Sequence, residues 1–272
     1  MNKLHIITVA TSNEGYYNAL NNNSHNINII TLGFGQKWNG FIMKYDLTKE
    51  YLSKLNDNDI VVFTDAYDVL LLQDSNTIIN KFKSFNKPIV ISKDAEPHSL
   101  IIMYIHSRIF KKCNNTKINS GLYIGYVWAL KLLFDKMYRE YYCNDDQIML
   151  INICNSPFFD KYITIDYDSI LFYTTFGGYG ILNYNFTPGF DSYIINNKLI
   201  VKKTNQEPSF VHGPGNTNLD LLANLYNLPK NINRSKLDKV IIYSSPQYIK
   251  YYLQDILLAL IILIMLYYFL TN

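Results

Sequence analysis

The sequence predicts an α/β fold with a mostly parallel central sheet covered by helices on both faces. Two observations carry that prediction. Short apolar runs of β-branched and aromatic residues alternate along the chain with longer helical patterns, as a parallel sheet with crossover helices requires. One of those runs, Ile60 to Phe63, has no polar alternation and so reads as a strand buried on both faces. It runs straight into Asp65 and Asp68, outside a strand's carboxyl end, where open α/β sheets bind their ligands.

Taken in order, Leu4 to Ala10 is expected as the first strand, and in Thr11-Ser-Asn-Glu14 either Thr11 or Ser12 could cap a helix. Ile27 to Leu32, Ile60 to Thr64, Pro88 to Ser92 and Leu122 to Tyr126 are the next strands. Leu47 to Leu55, Asn76 to Phe85, Trp128 to Tyr142 and Gln147 to Ile153 are expected as helices. Tyr193 to Asn196 and Leu199 to Lys203 flank Asn197-Lys198 as a small hairpin. Gly33-Phe-Gly35 follows a strand, but Trp38 stands where a dinucleotide fingerprint needs its third glycine. A Rossmann oxidoreductase is thereby disfavoured.

Length and composition bound the rest. With 272 residues, 49% of them hydrophobic, the chain can bury one large core, expected over residues 1–229 with a polar linker at 230–250. A net charge of +3 is too small to argue for nucleic acid. Cys113, Cys143 and Cys154 are odd in number and lack metal or redox spacing, which points to a reducing compartment. No secretory signal is evident at the N-terminus. Ile256 to Leu270 is apolar throughout, with Tyr251, Tyr252, Tyr267 and Tyr268 placed as an aromatic belt. A C-terminal transmembrane anchor over 251–272, with the globular domain facing the cytosol, is therefore expected, although the apolar run covers only about 22 Å of a roughly 30 Å hydrocarbon core. A terminal helix buried against the domain or a partner is the alternative.

Three stretches carry the candidate chemistry: Val61-Val-Phe-Thr-Asp65-Ala-Tyr-Asp68, Asn144-Asp-Asp-Gln147 and Phe210-Val-His-Gly-Pro-Gly215. Hard carboxylate oxygens suit Mg²⁺ or Mn²⁺, which complete their shells with water and substrate phosphates. Asp65 and Asp68 fit that role, and they fit equally a solvated turn in which one of them caps the next helix. Asn144 with Gln147 also fits a helix cap and its reciprocal partner, leaving Asp145 and Asp146 to favour a helix N-terminus. His212 by itself reads as a turn histidine. Trp38 and Trp128 read as core.

Thr8-Val-Ala-Thr11, Trp38-Asn-Gly40, Phe63-Thr-Asp-Ala-Tyr-Asp-Val69, Asn119-Ser-Gly121 with Tyr123-Ile-Gly-Tyr126, Asp145-Asp-Gln147 and Val211-His-Gly213 occur in this order. In that order and spacing the chain, from about Leu4 to Pro229, resembles the glycosyltransferase domain of the procollagen lysyl hydroxylase and collagen glycosyltransferase family. The Asn, Ile, Lys and Tyr bias suggests an AT-rich genome, and large DNA viruses are one setting for free-standing relatives.

The resemblance implies a Rossmann-like GT-A nucleotide-sugar fold and a UDP-hexose-dependent glycosyltransferase. It implies Asp65, Asp68 and His212 as ligands of Mn²⁺, with Val9, Thr11 and Tyr67 near the uridine. The resemblance implies Lys44, as the family's basic residue, together with Gly213 and Gly215 among the donor-binding residues, and Asp145 and Asp146 beside the donor sugar as catalytic carboxylates. The implied donor is UDP-glucose or UDP-galactose, and the acceptor a glycan hydroxyl or hydroxylysine of a collagen-like protein. Two departures stand out. Asn218 occupies the position of a lysine, and Phe176-Gly-Gly-Tyr-Gly180 replaces an acidic loop. The rival expectation is a non-catalytic, membrane-tethered protein that binds UDP or glycans. A phosphohydrolase acting on nucleotide diphosphates is a third.

Overall fold

The computed structural model describes residues 2–95, 113, 115–175, 184–189, 191–215, 217–231 and, towards the C-terminus, 257, 260, 261, 263–265, 267 and 268. A six-stranded sheet forms its centre, from β1 (Leu4–Val9), β2 (Ile29–Leu32), β3 (Ile60–Asp65), β5 (Ile89–Lys93), β6 (Ile118–Tyr126) and β7 (Ile163–Asp166), in the order β2-β1-β3-β6-β5-β7. β1 runs parallel to both β2 and β3, and β5 is parallel to β7, while β6 is antiparallel to β3 and β5. Five strands thus share one direction and β6 opposes them, the mostly parallel sheet expected.

The unbroken apolar run of β3 has the predicted consequence. Ile60 and Val62 enter one core cluster, packed with Ile78 and Phe82 of the helix Ser75–Ser84. Val61 and Phe63 enter another, against the helices Ile42–Leu52 and Val127–Glu140. All four β3 residues are fully buried, because successive side chains of a strand point to opposite faces and both faces carry helices.

A second sheet of three short strands, β4 (Val69–Leu71), β8 (Phe172–Thr174) and β12 (Phe210–His212), positions the site. β12 lies between the other two, antiparallel to β4 and parallel to β8. The expected hairpin is present as β10 (Ser192–Ile195) and β11 (Lys198–Val201), with Asn196 and Asn197 both at positive φ, as a tight two-residue hairpin turn demands.

Several expectations are corrected. Neither Thr11 nor Ser12 caps a helix: Ser12 Oγ donates to Glu14 Oε1, and the next helix, Tyr17–Asn21, starts without a side-chain cap. Asp145, not Asn144, caps the helix Asp146–Asn152 by accepting from the Ile148 amide. Cys113 and Cys154 form a disulfide across a sequence separation of 41, with Cα atoms 5.3 Å apart. Spacing hides such a pair because only the sheet brings the approach to β6 against the end of the helix Asp146–Asn152. Among the described residues no helix is long and apolar enough to cross a membrane, so the C-terminal anchor, and the membrane location resting on it, is not supported. The apolar run is too short for the hydrocarbon core, and its extension towards Tyr251 meets Gln254 and Asp255. Most of the expected linker and of the C-terminal run, together with Phe176 to Gly180, lies outside the described residues.

Candidate metal centre

The loop Asp65 to Asp68 leaves β3 and enters β4 after one turn. β4 then pairs with β12, and the register sets His212 opposite Val69. Two short strands therefore bring together residues separated by more than 140 positions. Asp65, Asp68 and His212 can each offer one ligand atom within 4.8 Å of the others. His212 Nε2 is 3.5 Å from Asp68 Oδ1 and 3.8 Å from Asp65 Oδ2. The imidazole is 2% exposed, and neither ring nitrogen has a hydrogen-bond partner among the described residues. An orphaned buried imidazole facing two carboxylates is costly unless a cation or proton occupies the gap. Burial alone would lower the His212 pKa, but Asp68, Asp65 and Asp94 outweigh it and hold it above the ordinary value.

Gly121 makes room for this cluster. A Cβ there would lie 2.5 Å from Asp65 Oδ2, 2.7 Å from His212 Cε1 and 2.9 Å from Asn119 Oδ1. Asn119 Oδ1 accepts from the Gly121 amide at 2.7 Å, and Asn119 Nδ2 donates to Asp94 at 3.4 Å. Asp94 is buried, and the desolvation of its carboxyl raises its pKa to about 6. It is a charged neighbour of His212 that sequence reasoning missed, because an Asp just past β5 looks like an ordinary strand end.

Lys44 links the cluster to the acidic helix. Its Nζ is 3.0 Å from Asp65 Oδ1 and 2.6 Å from Asp146 Oδ2. Burial would lower the Lys44 pKa, yet Asp146 and Asp65 together hold it well above the usual lysine range. Asp146 also accepts from Ser120 Oγ at 2.9 Å, and desolvation raises its pKa despite Lys44. Gln147, expected as a cap partner, instead accepts from the Ser120 amide and donates to the Ile118 carbonyl. The helix Asp146–Asn152 is thus fastened to β6 by Gln147 and Ser120, and Asp146 is joined to Asp65 through Lys44. Two carboxylates and an imidazole, from Asp65, Asp68 and His212, make a donor set that fits a divalent ion.

The family assignment follows from comparison of the whole chain. The PLOD GT domain family matches residues 1–236. The chain belongs to this glycosyltransferase-domain family. A multifunctional procollagen lysine hydroxylase and glycosyltransferase from Caenorhabditis elegans is 30% identical over 191 residues, covering 62% of the chain and 25% of that protein. A procollagen-lysine,2-oxoglutarate 5-dioxygenase from Drosophila melanogaster is 27% identical over 242 residues, covering 81% of the chain and 32% of that protein. The chain therefore spans about a quarter to a third of the length of these relatives. Among solved structures, a galactosyltransferase in complex with donor and acceptor sugar analogues aligns over 86% of this chain and 99% of that one, at 13% identity and a TM-score of 0.42.

The remaining residues singled out in the sequence are spread more widely. Val9 ends β1 as the register neighbour of Asp65. The Tyr67 hydroxyl accepts from the amides of Thr11 at 2.9 Å and Ser12 at 3.2 Å, tying the loop after β1 to the turn between Asp65 and Asp68. Gly213 donates its amide to the Asp68 carbonyl at 2.8 Å, and a Cβ there would meet Leu219 at 2.9 Å. Gly215 sits at φ +73°, a left-handed conformation natural to glycine. Trp128 packs edge-on against Tyr162 beside the core, whereas Trp38 is 38% exposed. Asn218 directs its side-chain oxygen to the Tyr16 hydroxyl and the Asp220 amide.

Proposed function

We propose that this domain transfers a hexose, glucose or galactose, from a UDP-sugar to a hydroxyl acceptor such as a hydroxylysine-linked glycan of a collagen-like protein, with Mn²⁺ held by Asp65, Asp68 and His212. The observation that carries the reading is the convergence of those three side chains within 4.8 Å, outside the carboxyl end of β3. A divalent ion bound there neutralises charge on a departing diphosphate, the dominant electrostatic need of glycosyl transfer.

The chain's own residues supply the rest. Val9, Thr11 and Tyr67 line the uridine side, where the Tyr67 hydroxyl holds the Thr11 and Ser12 amides in place. Lys44 presents a fixed positive charge between Asp65 and Asp146, suited to a phosphate oxygen. Gly213 and Gly215 let backbone approach the same group. We assign Asp145 and Asp146 to the donor-sugar side, where a carboxylate can steady positive charge at the anomeric carbon or accept the acceptor's proton. Asp146 first acts by orienting Lys44.

UDP release from UDP-glucose and UDP-galactose, measured for the full chain with Mn²⁺ and hydroxylysine-containing acceptors, tests the proposal. Metal-dependent release is expected, and no release from either donor would overturn it. The alternative is a non-catalytic UDP or glycan binder that keeps the fold. It is favoured by Asn218 standing where the resemblance implies a lysine, and UDP binding without release would establish it.

A further inference from the structure

Tyr16 is 1% exposed, yet it belongs to no strand and packs no helix face of the main sheet. Its amide and its hydroxyl reach two separate places in the fold. The Tyr16 amide donates to the Tyr67 carbonyl at 2.8 Å, inside the turn that carries Asp65 and Asp68. Its hydroxyl accepts from the Leu219 amide at 2.6 Å and faces Asp220 Oδ1 at 2.9 Å and Asn218 Oδ1 at 3.1 Å. The approach to Tyr67 is set by the preceding glycine: Gly15 has φ +56°, and a Cβ on it would lie 2.1 Å from the Tyr67 oxygen.

Gly213 and the Asn218–Asp220 corner are each tied to the turn that carries Asp65 and Asp68. The Gly213 amide is bonded to the Asp68 carbonyl. The Asn218–Asp220 corner is bonded to Tyr16, and Asn218 Oδ1 also accepts from the Asp220 amide at 2.7 Å. Both tethers lead back to the same turn, one through the Asp68 carbonyl and one through the Tyr67 carbonyl. For a buried phenol, hydrogen bonds on both its donor and acceptor sides offset the cost of desolvation, whereas a half-satisfied one leaves part of that cost unmet.

We infer that Tyr16 is a positioning residue of the UDP-binding site, whose hydroxyl fixes the Asn218–Asp220 corner relative to the turn that carries Asp65 and Asp68. The inference rests on the donor reading above and goes beyond it. Asn218 serves in this latch, so the corner is placed by an uncharged bridge from Tyr16. Without the hydroxyl the side chains of Asp65, Asp68 and His212 remain, and Asn218 keeps its backbone bond from the Phe186 amide, but the corner loses its bond to the residue anchored on the Asp65–Asp68 turn. Donor affinity then falls, while turnover of bound donor is kept.

The test compares full-length wild type with Tyr16→Phe and with Tyr226→Phe. Tyr226 is a fair control because its hydroxyl likewise accepts from an amide, Leu199 at 2.9 Å, and donates to a carboxylate, Glu207 at 2.6 Å, away from the metal turn. UDP affinity in the presence of Mn²⁺ is read by calorimetry, KM and kcat by UDP release, and stability by thermal unfolding. Tyr16→Phe is expected to weaken UDP binding and raise KM about five- to tenfold, with kcat within about twofold. Tyr226→Phe is expected to lower Tm comparably and leave UDP affinity unchanged. Wild-type affinity in Tyr16→Phe, or equal weakening in both variants, would overturn the inference. A wild-type chain that binds no UDP at all would refute the donor reading itself, and this inference with it.

Discussion

Replacing Gly121 with alanine adds one methyl group at the point where Asp65, His212 and Asn119 meet. The new carbon would lie 2.5 Å from Asp65 Oδ2 and 2.7 Å from His212 Cε1. Ordinary contact begins near about 3.5 Å, so the carboxylate must retreat by about 1 Å and the imidazole by slightly less. Gly121 is not among the glycines at positive φ, so alanine suits the backbone and the effect is that of contact alone. Overpacking of this kind costs about 1–3 kcal/mol of stability. A metal site is less forgiving, since ligand distances tolerate only about 0.2 Å. We expect Mn²⁺ affinity, measured by the loss of free-ion paramagnetic resonance signal, to fall about 10- to 100-fold. The protein should remain folded by circular dichroism. Wild-type Mn²⁺ affinity in a folded Gly121→Ala protein would refute the argument that these three side chains form one cation site.

Asp65→Asn removes a ligand charge and one partner of Lys44, and metal-dependent UDP binding by calorimetry should disappear; retention would remove Asp65 from the ligand set. Lys44→Met leaves Asp65 and the buried Asp146 without their shared cation. It should lower the metal-free unfolding free energy in urea by about 3–5 kcal/mol, and a loss near zero would mean that the pair is not formed in solution. Cys113→Ser opens the loop closed by the Cys113–Cys154 bond, with an expected loss of about 4 kcal/mol under non-reducing conditions. Thiol labelling of the native protein should find Cys143 as the one cysteine outside that bond; labelling of all three would show that the bond does not form.

Much of the sheet was legible because its strands are long enough to carry a pattern. β1, β3 and β5 lie within a residue of their expected bounds, since short runs rich in Ile and Val bounded by polar residues have few other readings. β4, β8 and β12, three residues each, carried no such signal. Their existence depends on pairing with each other across long sequence separations. The same limit applied to Asp145: Asn144, Asp145 and Asp146 are all good caps, and the bond to Ile148 chose among them. Asp94 escaped notice because its partners, Asn119 and His212, come from β6 and β12.

By itself, the sequence determined the layered α/β architecture, the placement of two carboxylates just past β3, and the family order of motifs from Thr8 to Gly213. Those properties are local, written in periodicity and residue type. Only the tertiary structure decided that His212 faces Asp65 and Asp68, that Lys44 bridges Asp65 and Asp146, that Gly121 leaves space for them, and that Cys113 bonds Cys154. Each joins residues brought together by strand pairing or helix packing, and such contacts become visible only once the hydrogen-bond register of the sheets is fixed.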